Sequence, residues 1–206
     1  MTTRIPTRRA AQVAVAAAAA LVLAACGGGS DGSAAHDTSA APGATASASA
    51  HNAQDVAFAQ GMIPHHQQAL EMARLAAGRA SSAQVKDLAA RIEKAQDPEI
   101  RTMTGWLRAW GEQVPMAGMD HSGHSGMPGM TGMMSDGDMA ALKKKRGTDF
   151  DTSFLSMMVE HHQGALEMAG TERTRGAYGP ARTMADAIVT GQSAEIKEMK
   201  KLLGKN

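Results

Sequence analysis

Met62-Ile63-Pro64-His65-His66-Gln67-Gln68-Ala69-Leu70-Glu71-Met72-Ala73 returns 96 residues later as Met158-Val159-Glu160-His161-His162-Gln163-Gly164-Ala165-Leu166-Glu167-Met168-Ala169. The offset holds without a gap from residues 52–107 to residues 148–203, so the chain contains two copies of one unit. Phe58, Met62, Ala69, Met72 and Ala73 recur at helical spacing, as do Phe154, Met158, Ala165, Met168 and Ala169, which makes the first half of each copy an amphipathic helix. Asn52-x-x-Asp55 and Thr148-x-x-Asp151 are read as the N-caps that open these helices.

Each copy then breaks, at Gly78 to Ser82 and at Gly176 to Pro180. Beyond the break, Val85, Leu88, Ala89, Ile92, Ile100, Met103 and Leu107 form a second apolar stripe. Ala181, Met184, Ala185, Ile188, Ile196, Met199 and Leu203 repeat it. Pro98 lacks an amide donor and is expected to kink or restart the helix of the first copy. Two αα-hairpins with apolar stripes and no strand signal predict an all-α four-helix bundle. Its core would be built from Ala, Leu, Ile and Met, because aromatic residues make up only 3% of the chain.

The repeats occupy part of the 206 residues. Arg4, Arg8 and Arg9, an apolar run from Val13 to Leu23, and Leu23-Ala24-Ala25-Cys26 read as an export signal over residues 1–26. The sole cysteine, Cys26, stands where a lipoprotein is acylated after cleavage, which predicts an anchor on the outer side of the cell membrane. Residues 27–51 are Gly, Ser, Ala and Thr with little to bury, and are expected to be a tether to the folded domain of residues 52–206. Loss of the three arginines takes 21 basic residues to 18 against 20 acidic ones, a net charge of −2 that gives no basis for nucleic-acid binding. With no second cysteine, a metal would have to be held by His, Met, carboxylate or amide groups.

At 100° per residue from Met62, His65 lies at about −60° and His66 at about +40°, so both histidines border the apolar stripe. Glu71 and Glu167 lie on the opposite face, as solvated or salt-bridging carboxylates. On the second helices, Glu99 and Gln96 fall within the stripe, and Glu195 and Gln192 repeat them. A carboxylate aimed at a core needs a partner, a hydrogen bond or a metal. His65, His66, His161, His162, Glu99 and Glu195 are therefore the candidate ligands of a core metal site; the bland alternative is that the histidines simply bond to Gln and Glu across helices.

Between the copies, residues 115–139 are too rich in Gly, Pro and Ser for a regular element, yet they carry Met116, Met119, His121, His124, Met127, Met130, Met133, Met134 and Met139. Thioether sulfur favours Cu(I) or Ag(I) and imidazole accepts Cu(II) or Zn(II), so this segment is a candidate soft-metal site. Trp106 and Trp110 close the first hairpin just before it, and Lys143-Lys144-Lys145-Arg146 is read as a solvated lead-in to the second copy.

The strings Asp55 to Ala73 and Asp151 to Ala169, with Gln96-x-x-Glu99-Ile100-x-x-Met103 and Gln192-x-x-Glu195-Ile196-x-x-Met199, resemble the bacterial family called domain of unknown function 305. The resemblance implies a ferritin-like bundle in an exported protein, members linked to copper binding and tolerance, and Met62, His65, His66, Met158, His161 and His162 as ligands. The leading expectation is sequestration or transfer of Cu(I) or Cu(II) without turnover. A ferritin-like enzyme using two ions of iron or manganese is the second, although the Glu-x-x-His motif of di-iron proteins is missing from both copies. Zinc is a further possible ion. A metal-free helical interaction module at the cell envelope is the third.

Overall fold

The computed structural model describes residues 50–116 and 131–204, and among them forms five helices and no strand. They are α1 (Ala53–Arg79), α2 (Ala83–Trp110), α3 (Asp136–Lys144), α4 (Gly147–Arg175) and α5 (Gly179–Leu202). The four long helices are the two expected hairpins, joined into a ferritin-like bundle by the passage from Trp110 to Gly147. The hairpins meet through α1 and α4, which run antiparallel: the start of α1 bonds to the turn after α4, and Ala80 after α1 bridges Gly147 at the start of α4.

Asn52 caps α1 as a full capping box, its side chain accepting from the amides of Gln54 and Asp55 while Asp55 accepts from Asn52 N. The second copy departs from this expectation. Thr148 lies inside α4 and the N-cap is Arg146, which makes no side-chain cap. Gly147, at φ 63°, supplies the left-handed turn that lets α3 run almost directly into α4 one residue after Arg146.

The paired Asp residues have a role that their spacing did not disclose. Asp55 accepts from the amides of Ala177 (3.1 Å) and Tyr178 (2.9 Å), and Asp151 from Ser81 N (3.2 Å), Ser81 Oγ (2.5 Å) and Ser82 N (2.9 Å). Each hairpin thus holds the turn that leads into the second helix of the other, locking the hairpins together at both ends. Burial works against ionisation of Asp55, but hydrogen bonds from the Asn52 amide, the Glu172 carboxyl and the amides of Tyr178 and Ala177 together outweigh it and hold the carboxyl below its ordinary range.

Two further expectations are corrected. Pro98 does not restart the helix, and α2 runs on through it from Ala83 to Trp110. The proline is solvent-exposed, and buried residues on both sides of it, Ile92, Gln96 and Met103, hold the helix on the bundle. The segment 115–139 is also not wholly irregular. Ser135 and Asp138 form a capping box, α3 begins at Asp136, and Met139 and Leu142 enter the core. The basic lead-in belongs to this element as well: Lys143 pairs with Glu71 at 2.6 Å, which confirms Glu71 as an exposed salt-bridging group.

The core comprises two clusters. One holds Phe58, Met62, Ile63, Met103, Leu107, Ala165, Ala169 and Ile188; the other holds Ala69, Met72, Leu88, Ile92, Phe150, Phe154, Met158 and Met199. Between them, on every long helix, lie buried His or Gln residues: His65, His66, Gln96, His161, His162 and Gln192.

Candidate metal centre

The polar layer is assembled where α1 and α4 cross the middle of the bundle. His65 and His161 meet there with ring centroids 3.7 Å apart and planes inclined by 40°. His66 and His162 are wholly buried beside them. Nε2 of His66 donates to Glu99 on α2, and Nε2 of His162 donates to Glu195 on α5, both at 2.7 Å. Gln96 and Gln192 are buried in the same layer. The eight repeated polar positions therefore come together as four His, two Glu and two Gln. Glu99 and Glu195 keep partial exposure, 22% and 16% of the side chain, so each lies at the edge of the layer rather than at its centre.

The hydrogen-bond inventory is incomplete in a specific way. Among the described residues, Nδ1 of His65, His66 and His162 meets no partner, nor does either ring nitrogen of His161, nor the side-chain amide of Gln96. Buried polar atoms without partners are uncommon and costly. Burial, followed by the neighbouring His66, depresses His65 to about 3, and burial together with His65 and His162 holds His161 well below its ordinary value. Both are neutral imidazoles at physiological pH, the protonation state in which imidazole ligates a metal. A carboxylate accepting from the far ring nitrogen, as Glu99 and Glu195 do, is the usual support of a ligating histidine.

Met62 and Met158 are fully buried, one turn before each His pair. Because α1 and α4 are antiparallel, one thioether lies on either side of the His65–His161 contact, in separate core clusters. Among the described residues no three His, Cys, Asp or Glu side chains are already gathered around a single metal position. The layer offers imidazole and thioether rather than a carboxylate cage, a donor chemistry suited to copper and other soft ions.

The second candidate site is less complete. Met119, His121, His124, Met127 and Met130 lie outside the described residues, as does Cys26. Met116 is 61% exposed, Met133 is half-buried, and Met134 packs against the core at the edge of the Phe154 cluster. Trp106 and Trp110 join Tyr178 and His51 in an aromatic group at one end of the bundle, with His51 stacked on Trp110 at 4.4 Å.

One buried ionisable group escaped the sequence reading. Glu172 is fully buried, its carboxyl set against that of Asp55. Burial, then the neighbouring Asp55, raises it to about 8. Its counterpart in the first copy is Ala76, so the only available signal was a difference between repeats rather than a shared feature.

A family model described as domain of unknown function (DUF305) matches residues 55–203. No curated protein matches the chain. Among solved structures, a predicted secreted DUF305 protein from Streptomyces coelicolor is 32% identical, with a TM-score of 0.66 over 73% of this chain and 92% of that one. A DUF305 fragment from Deinococcus radiodurans is 31% identical, with a TM-score of 0.65 over 74% and 97%. CopM in its Cu(II)-bound form is 35% identical, with a TM-score of 0.62 over 73% and 95%; CopM is also described in Cu(I)-bound and Ag-bound forms.

Proposed function

The chain belongs to the DUF305 family, and from that starting point we propose that it is an exported lipoprotein that binds copper as cargo, for sequestration or transfer, outside the cytoplasm. The observation that carries the reading is the buried layer in which four neutral or carboxylate-supported imidazoles retain unpartnered nitrogens, flanked by Met62 and Met158. These donors accept Cu(I), and imidazole also accepts Cu(II). The description of CopM, a similar protein, in copper- and silver-bound forms supports the same class of metal ion. His65, His66, His161 and His162 are the nitrogen ligands of this proposal, Met62 and Met158 the sulfur ligands, and Glu99 and Glu195 the supporting carboxylates. Met116, Met119, His121, His124, Met127, Met130, Met133 and Met134 form a separate capture segment.

Export and anchoring rest on residues 1–26 and Cys26, with residues 27–51 as the tether. No described helix is long and apolar enough to cross a membrane, and the anchor proposed here is a lipid. Cu(I) titration against a competing chelator tests the metal reading. Binding tighter than about 1 μM that is lost in His65/His66/His161/His162→Ala supports it, while binding indifferent to those changes would remove the bundle site. Fractionation of cells expressing Cys26→Ala tests the anchor, with release from the membrane as the expected result.

A further inference from the structure

Within the otherwise matching strings His-His-Gln-x-Ala-Leu-Glu-Met-Ala, the copies differ only at Gln68 and Gly164. Both residues touch one short segment, Thr131–Met134. Gln68 grips it with both amide atoms: Nε2 donates to Met134 O at 2.9 Å, and Oε1 accepts from Met134 N at 2.7 Å. Gly164 grips it by having no side chain. A Cβ at Gly164 would collide with the Thr131 carbonyl and would lie 3.1 Å from Gly132 Cα. Gly132, at φ 80°, is equally constrained, since its Cβ would stand 2.6 Å from Glu160 O. The segment thus rests main chain against main chain on α4 and is held by a side chain on α1.

This seating places the Thr131 carbonyl 3.3 Å from Nε2 of His65. A carbonyl only accepts, so His65 carries its proton on Nε2 and leaves Nδ1 as the lone-pair nitrogen. His66 and His162 obtain the same tautomer from Glu99 and Glu195. Among the described residues His65 bonds only this carbonyl and no carboxylate.

We infer that Thr131–Met134 is a positioning strap, seated by Gln68 and Gly164, whose carbonyl sets the tautomer of His65 and closes the α1–α4 face over the His65–His161 pair. As a regulator of metal exchange it rests on the copper reading above; as a positioning element it does not. Among the described residues His161 makes no hydrogen bond to a second strap of this kind, so the two described halves of the layer are chemically unequal despite their repeated sequence.

The test uses Gly164→Ala and Gln68→Ala, with Gly170→Ala as control, because a Cβ at Gly170 on the same helix meets nothing within 4 Å. In the metal-free protein, long-range proton–nitrogen NMR should find His65 as the Nε2–H tautomer. Gly164→Ala and Gln68→Ala should shift this population and speed exchange of the Met134 amide at least about tenfold, while Gly170→Ala changes neither. Copper-loaded variants should release Cu(I) to a chelator about 10–100-fold faster, the usual scale for loss of a ligand's support. An unchanged His65 tautomer and Met134 protection in both strap variants would overturn the inference, as would an equal response of Gly170→Ala. Failure of the wild type to bind copper would sink the proposed function, and the metal-free measurements would still decide the strap.

Discussion

Replacing Glu172 with glutamine should stabilise the protein, and by an amount that depends on pH. The carboxyl is 0% exposed, lies against the Asp55 carboxylate and is raised from 4.5 to about 8. Between those values the unfolded chain has released a proton that the folded chain retains, so the folded state binds more protons and stability falls as pH rises. At pH 7 the gap from 4.5 is about 2.5 units, and at about 1.4 kcal/mol per unit the penalty is on the order of 3 kcal/mol. Glutamine keeps the volume and removes the titration. Urea denaturation of both proteins at pH 4.5, 5.5 and 7 should therefore give curves that nearly coincide at the lowest pH and separate by roughly 1.4 kcal/mol per unit above it. A difference that stays flat across this range would refute the assignment of Glu172 as a carboxyl held neutral by burial and by Asp55.

The histidine pair predicts the opposite trend in the metal-free protein. His65 falls to about 3 from 6.5 on folding, so the unfolded chain binds the extra proton and stability should drop below pH 6.5 by about 1.4 kcal/mol per unit for this group; the slope should shrink in His65→Gln. Asp151→Ala removes the acceptor of two amides and the Ser81 hydroxyl and should cost about 2–4 kcal/mol, whereas the exposed Asp149→Ala should cost under about 0.5 kcal/mol, both read by urea denaturation. Met62→Leu with Met158→Leu should change stability by less than about 1.5 kcal/mol each yet weaken Cu(I) binding measurably in chelator competition. Glu99→Gln and Glu195→Gln should leave the helical circular dichroism intact and lower copper affinity about 10–100-fold.

The repeat made most of the architecture legible. A period near 3.6 residues, two breaks per 206 residues and the absence of strand patterning led to four long helices in two hairpins, because periodicity and turn chemistry are local properties. The buried polar layer was legible for the same reason. The positions of His65, His66, Gln96 and Glu99 on their helices follow from spacing alone, and each has a counterpart 96 residues on. Readings failed where the copies diverge or where local rules met tertiary packing. Thr148 lost its capping role to an earlier helix start at Gly147, Pro98 was carried through by the stripe on both sides of it, and α3 arose inside a segment whose overall composition concealed the Ser135–Asp138 box.

By itself, then, the amino-acid order determined the helices, their buried faces and the chemical types in the layer, since each depends on residues within a few turns of one another. Only the tertiary structure decided that α1 and α4 cross antiparallel, and so that His65 faces His161, that Asp55 and Asp151 each hold the turn of the other hairpin, and that Gln68 and Gly164 seat one strap. Those contacts join residues roughly 30 to 120 positions apart, where no local pattern selects the partner and packing of the two hairpins does.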